Sequence, residues 1–365
     1  MHTVQKILII RFSSLGDIVL ATPLIGQVRK KFPEAEIDFL IRTEYIEILQ
    51  FHPQINNLIR FDINKGFRGL RELKKQVKNR HYDVILDIHN NLRSRYVCLG
   101  LGRFGIQTRV RHVRKQKFVR FLLVSCKINL YRKIYGRVIP VWEKYLRTAK
   151  SLGLDLPGGI RKRISAERTD VMKGKGLEIY LSRDAENVAA QFRKEKSGEA
   201  SFIAVAPGAR HFTKRWPAEY YSDLILRIYQ EKNIKSVLIG GKDDQSLCEN
   251  IVKEVGGKKS FSVAGKLSIL ESAAIIKDAK LLITNDSGLM HVGDALKTPL
   301  FAIFGSTVRE LGFFPSATTS MVIENKGLSC RPCSHIGRDH CPKKHFHCMK
   351  ELTPELVWRQ VEKLL

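Results

Sequence analysis

The sequence predicts an α/β protein of two domains facing one cleft, and three observations carry that expectation. Apolar strands alternate with helical patterns along both halves of the chain, which implies parallel sheets covered by helices. A strand runs through a polar, glycine-containing corner into a helix at 6–18 and again at 281–291. The 365 residues, 44% hydrophobic and 27% charged, suffice for two separate cores.

The elements follow in order. Strands are expected at 6–11, 36–41, 57–61 and 84–88, with helices over 18–32 and 69–79. Pro23 is tolerated only in an opening turn or at a bend, so the first helix should begin close to Asp17. The glycine-rich, charged stretch 158–176 breaks the alternation and is the linker candidate. Residues 177–193 read as a short extended piece followed by a helix. The second domain should start with the strand 202–206, open a helix at 218–221, and continue through strands at 236–240, 281–284, 300–304 and 321–323. The resulting division is 1–165, a linker and connecting helix at 166–198, a second domain at 199–350 and a C-terminal helix at 351–365.

Charge narrows the partners. Lys and Arg number 63 against 36 Asp and Glu, a formal +27, so an anionic partner or surface is expected. No acid lies between Asp87 and Glu143, while Arg93, Arg95, Arg114, Lys115, Lys117, Arg120 and further basic residues to Arg137 fall in that gap. Apolar residues interrupt these charges, as in Phe118-Val119-Arg120-Phe121-Leu122-Leu123-Val124, a pattern that suits an anionic membrane surface or a core helix with a solvated basic face. Nucleic acid is disfavoured because aromatic stacking platforms are few. No apolar run approaches the roughly 18 residues of a membrane span, and Arg11 and Asp17 cut the N-terminal one short. A cytoplasmic protein is expected, peripheral on the inner face of the membrane.

Two corners have the chemistry of phosphate sites. At Asn285-Asp286-Ser287-Gly288, unpaired N–H groups and the positive end of a helix dipole meet a hydroxyl and a small residue. In the loop 207–217, at the carboxyl edge of a parallel strand, Thr213 and Lys214 offer a hydroxyl and a positive charge to the same phosphate.

The set Ser13-Ser14-Leu15-Gly16-Asp17, Pro207-Gly208-Ala209 with Thr213-Lys214-Arg215-Trp216-Pro217, and Asn285-Asp286-Ser287-Gly288-Leu289-Met290-His291 resembles the bacterial heptosyltransferases of glycosyltransferase family 9 over nearly the whole length. The resemblance implies the GT-B architecture, two facing Rossmann-like domains with a central cleft, and an acceptor held mainly by the N-terminal domain, with Ser14, Gly16, Arg93 and Arg95 beside it. It implies a nucleotide-sugar in the C-terminal domain, and inverting transfer of heptose from ADP-heptose to the anionic inner core of lipopolysaccharide. Asp17 matches the family's catalytic aspartate, with helix N-capping as its plainer role. Lys214, Thr213, Ser287, Gly288 and Leu289 would hold the diphosphate, so no catalytic metal is expected. Asp286 and His291 match donor-contacting positions, and Asp243 lies in the region that meets the nucleoside. Alternatives are another nucleotide-sugar or acceptor, or a zinc-bearing nucleic-acid binder.

The spacing Cys330-x2-Cys333-x7-Cys341-x6-Cys348, interleaved with histidines, supplies enough soft ligands for one tetrahedral structural zinc. A reduced cysteine-rich loop is the equal alternative in a reducing compartment.

Overall fold

A computed structural model describes residues 4–101, 108–154, 176–197 and 200–365. The chain packs as two units, Met1–Lys115 with Ile139–Tyr180, and Gln116–Val138 with Leu181–Leu365.

In the first unit, β1 (Lys6–Ile10), β2 (Glu36–Arg42), β3 (Asn57–Phe61), β4 (Val84–Asp87) and β5 (Arg109–His112) form one parallel sheet in the order β3-β2-β1-β4-β5. The central strands are near-continuous apolar runs because both faces are covered: Ile7, Leu8, Ile9 and Ile10 are all fully buried. The helices α1 (Leu15–Val19), α2 (Thr22–Lys31), α3 (Gly66–Asn79), α4 (Leu92–Cys98) and, later in the chain, α7 (Val141–Thr148) belong to this unit. On α3, Leu70, Leu73 and Val77 recur at helical spacing and seal the sheet.

In the second unit, β6 (Phe202–Ala206), β7 (Lys235–Leu238), β8 (Ser260–Ser262), β9 (Leu282–Asn285), β10 (Leu300–Phe304) and β11 (Ser320–Glu324) form a parallel sheet ordered β11-β10-β9-β6-β7-β8. Its helices are α5 (Lys117–Ser125), α6 (Tyr131–Tyr135), α8 (Arg183–Phe192), α9 (Ala218–Lys232), α10 (Gln245–Val255), α11 (Ile269–Asp278), α12 (Gly288–Leu296), α13 (His347–Lys350) and α14 (Pro354–Val361). Trp216, Tyr221 and Trp358 fill one core with the strand side chains. Among the described residues no helix is long and apolar enough to cross a membrane.

Several sequence expectations shift. The helix expected at 18–32 is two: α1 begins at Leu15, and α2 restarts at Thr22 with Pro23 in its first turn, where the missing N–H is not needed. Asp17 therefore lies inside α1 and Ser14 is at the N-cap position. Strands β5 and β8 are short and were not legible from pattern. Residues 116–138, placed by sequence within 1–165, pack with the second unit. Most of the linker candidate at 158–176 lies outside the described residues.

Candidate functional site

Open parallel sheets bind ligands at the carboxyl ends of the strands where the winding direction reverses. In the first sheet that point is between β1 and β4. Arg11, next after β1, spans it by donating Nη1–H to the carbonyl of Ile88, 3.0 Å away, just beyond β4. Its other terminal nitrogen meets Asp17 Oδ2 at 2.6 Å. The Ser14 hydroxyl donates to the same oxygen at 3.1 Å, and the Tyr145 hydroxyl from α7 donates to Asp17 Oδ1 at 2.8 Å. The Arg11 guanidinium also lies over the Tyr145 ring, 5.5 Å from its centre.

The electrostatics of this cluster are set by burial. Burial pushes the Tyr145 phenol far above its usual range and the neighbouring Asp17 carboxylate adds to the shift, so Tyr145 is a fixed donor. Burial alone would lower Arg11, but Asp17 and Tyr145 outweigh it and the guanidinium is held above its ordinary value. Both carboxylate oxygens of Asp17 are thus oriented, while 18% of the side chain stays open to solvent. Sequence reading identified Asp17 and Ser14 and missed Arg11 and Tyr145; the one available signal was a charged residue directly after an apolar strand.

His89 packs its ring on Phe12, 5.0 Å between centres, and is pushed down to about 3 by burial, then by Arg11 and Lys115. Asp87, fully buried at the end of β4, accepts from the N–H groups of His89 and Asn90, the Ser94 hydroxyl and His112. It shapes the turn into α4, on which Arg93 and Arg95 are both exposed; Arg95 donates to Asn90 Oδ1 at 2.8 Å.

In the second sheet the reversal lies between β9 and β6, and the two phosphate-type corners meet there. Asn285, fully buried, joins them: its amide donates to the Pro207 carbonyl at 2.6 Å while its Oδ1 accepts from the Trp216 N–H and the Tyr221 hydroxyl. Lys214 Nζ pairs with Asp286 Oδ2 at 2.8 Å, and the Thr307 hydroxyl donates to the same oxygen at 2.6 Å. Ser287 is the extended N-cap of α12, with no side-chain cap hydrogen bond; its hydroxyl lies 3.3 Å from that of Thr284. The first N–H groups of α12, at Gly288 and Leu289, have no partner within the helix, which is the chemistry that suits an anion at a helix N-terminus. His291 is buried at 3% exposure, with Phe313 6.5 Å away between ring centres.

Two expected donor residues are placed differently from their sequence reading. Thr213 is buried, and its Oγ1 accepts the N–H of Arg338 at 2.8 Å. Asp243 is exposed, whereas Asp244 turns back onto the loop after β6: a Cβ at Gly208 would lie 2.1 Å from its carboxylate oxygen, so any larger residue there would displace the Asp244 side chain. Burial raises Asp244, opposed by the hydrogen bond from the Gly241 N–H.

The Cys-rich segment braces the Lys214 loop. Thr213 and Arg338 exchange hydrogen bonds, Phe212 stacks on Phe346 at 4.8 Å, and Arg331 donates to the Thr307 carbonyl at 2.8 Å. Burial raises Cys333 and carries Cys348 up to about 12, and neighbouring thiols of the same four contribute to both shifts. Cys330 Sγ lies 3.9 Å from His345 Nε2. Among the described residues, however, no three His, Cys, Asp or Glu side chains stand at metal-holding geometry. The four thiols are neighbours, but in this arrangement they are not a finished ligand set.

Comparison with known proteins gives one answer. The family model for glycosyltransferase family 9 (heptosyltransferase) matches residues 70–344, well over half of the chain. Lipooligosaccharide heptosyltransferase 2 of Haemophilus ducreyi is 26% identical over 381 residues, covering 99% of each chain. Among solved structures, Escherichia coli ADP-heptose lipopolysaccharide heptosyltransferase II matches with a TM-score of 0.72 at 22% identity, covering 99% of this chain and 98% of that one. An Escherichia coli heptosyltransferase solved with ADP matches at 0.65 and 18% identity, covering 99% and 100%. The two parallel sheets thus have the GT-B fold of these enzymes.

Proposed function

This chain belongs to glycosyltransferase family 9, the heptosyltransferases, and from that premise we propose that it transfers heptose from ADP-heptose to the inner core of lipopolysaccharide with inversion, using Asp17 as base and no catalytic metal. The observation that carries the reading is the Asp17 carboxylate, gripped on both oxygens at the reversal point of its sheet yet partly open to solvent. A carboxylate oxygen accepts more than one hydrogen bond, so an acceptor hydroxyl can share Oδ1 with Tyr145. As the acceptor oxygen bonds to the anomeric carbon from the face opposite the leaving group, its proton passes to Asp17. The bond from that carbon to the diphosphate breaks and its electron pair leaves on ADP. Arg11 and Tyr145 hold the base in one orientation.

Lys214, the Ser287 hydroxyl and the N–H groups of Gly288 and Leu289 stabilise the charge that develops on the departing diphosphate. Thr213 retains a hydroxyl proton for the same oxygens. Asp286 positions Lys214, and His291 lies one turn along α12 from the diphosphate terminus. Asp244 is better placed than Asp243 to organise the nucleoside end of the loop. Arg93 and Arg95 are assigned to anionic groups of the acceptor, whose lipid anchor brings the enzyme to the cytoplasmic membrane surface. A structural zinc on Cys330, Cys333, Cys341 and Cys348 would take no part in the chemistry itself and would act only by holding the segment that braces the Lys214 loop. About one equivalent of zinc in protein purified without added metal supports it, and metal-free protein of undiminished stability overturns it.

The deciding experiment is transfer from ADP-heptose in parallel with UDP- and GDP-sugars, in the presence of a chelator, for the wild type and Asp17→Asn. ADP-heptose turnover that survives chelation and falls by at least about a hundredfold in Asp17→Asn, with ADP binding retained, supports the reading. Turnover within a few-fold of wild type in that variant, or a strict need for Mg²⁺, refutes it.

A further inference from the structure

The α5–α6 hairpin has more apolar surface than its packing uses. Val119 and Leu123 point inward and meet Tyr131 and Leu311 in a small core of the second unit. The Lys127 amine donates to the carbonyls of Cys330 and Pro332, and the Asn129 amide donates to Glu310, so the hairpin is fastened at its turn. Yet α5 carries a second apolar stripe: Phe118 is 69% exposed and Phe121, one turn on, 58%. Ile128 at 48% and Ile134 at 51% extend the same character beyond the helix. A helix that only covers a core presents polar residues on its outer side.

Within the hairpin itself the charges are all of one sign, and Glu310, from the neighbouring loop, is held by Asn129. From 116 to 138 there is no Asp or Glu, and Lys117, Arg132 and Lys133 are exposed. Of the other exposed apolar residues near α3 and α4, Phe67 on α3 has Glu72 close by in sequence, while Leu92 on α4 and Leu99 just after it flank Arg93 and Arg95, which are assigned to the acceptor.

We propose that the α5–α6 hairpin docks on an anionic phospholipid bilayer, with Phe118, Phe121, Ile128 and Ile134 seated at the boundary of headgroups and acyl chains and Lys117, Arg132 and Lys133 on the phosphates. Exposed aromatics gain by leaving water and basic side chains gain from the negative surface potential, so the two contributions act together on one face. The inference rests on the reading of this enzyme as one that works at a membrane surface, but it assigns the contact to the second unit and to named side chains.

The test is co-sedimentation of the full chain with vesicles of phosphatidylglycerol in phosphatidylcholine, and with phosphatidylcholine alone. Wild type is expected to bind the anionic vesicles and to be released as salt rises. Phe118→Ser with Phe121→Ser should weaken binding by at least about tenfold at constant salt. Lys117→Glu, Arg132→Glu and Lys133→Glu together should weaken it by about fivefold or more per residue and flatten its salt dependence. Thermal stability and ADP affinity should stay at wild-type values in both variants, which separates lost docking from lost folding. Undiminished vesicle binding by both variants, or loss on Phe67→Ser with Leu92→Ser instead, overturns the assignment of the face. Wild-type protein that self-associates in analytical ultracentrifugation and becomes monomeric in the double serine variant, without binding vesicles, makes the face an interface between copies and also overturns it. Wild type that ignores anionic vesicles while glycosylating a delipidated core acceptor refutes the membrane reading itself and leaves the transfer chemistry standing.

Discussion

Lys214→Ala separates the two tasks assigned to the Lys214–Asp286 pair. In the protein without donor, the amine neutralises a carboxylate that is only 5% exposed, and is itself 15% exposed. Removing one partner of a fully buried pair costs about 3–5 kcal/mol, because the other charge is left in a poor solvent. Residual exposure of Lys214 and the hydrogen bond from Thr307 reduce this to about 2–3 kcal/mol. For a unit of this size that corresponds to about 5–10 °C in the melting temperature. If, as proposed, the same amine makes a charge-assisted contact to the diphosphate, its loss should weaken ADP binding by roughly 10- to 100-fold. Adding Asp286→Asn removes the stranded charge, so stability should return to within about 1 kcal/mol of wild type. ADP affinity should not return. Thermal denaturation and calorimetric titration with ADP on the wild type, both single variants and the double variant complete the cycle. Unchanged stability in Lys214→Ala would show that the pair contributes nothing in solution, and recovered ADP affinity in the double variant would show that Lys214 serves Asp286 alone.

Other consequences can be measured independently. Tyr145→Phe removes a donor to the charged form of Asp17, so kcat/KM should fall by about tenfold or more and the acid limb of its pH profile should move to higher pH, with ADP affinity unchanged; an unaltered profile rejects the positioning role. His52 is pushed down to about 4 by burial, and His89 to about 3 by burial, then Arg11 and Lys115. Between those values and the unfolded value of about 6.5, the unfolded chain binds protons that the folded one refuses. Unfolding free energy from denaturant titrations should therefore decline as pH falls from about 6.5 towards 4, by up to about 1.4 kcal/mol per pH unit for each histidine, and His89→Gln should make the decline shallower. Cys330→Ser with Cys333→Ser should lower thermal stability and ADP affinity together, because the segment is hydrogen-bonded to Thr213 beside Lys214. Loss of stability with wild-type ADP affinity would uncouple the Cys-rich segment from the donor loop.

The sequence by itself determined the two parallel sheets, because buried parallel strands must be apolar on both faces and the chain spells runs such as Ile7–Ile10 and Phe301–Phe304 with helical patterns between them. It also determined the strand-turn-helix corner at Asn285–Gly288, since a strand, a polar glycine-bearing turn and a helix start are local features. Strand order is not local. Only the tertiary structure decided that β1 neighbours β4 and β6 neighbours β9, which carries Arg11 onto the Ile88 carbonyl and joins the loops of Pro207 and Asn285. Tyr145 reaches Asp17 across 128 positions of sequence, and Arg338 reaches Thr213 across 125; no periodicity encodes either contact. The same holds for Asp243 and Asp244, adjacent acids of which Asp244 is the one that turns toward Gly208. Residues 116–138 read as part of the first domain because they follow it in sequence, but Val119, Leu123 and Tyr131 bury their apolar surface against Leu311, and burial rather than chain order decides which unit a segment joins.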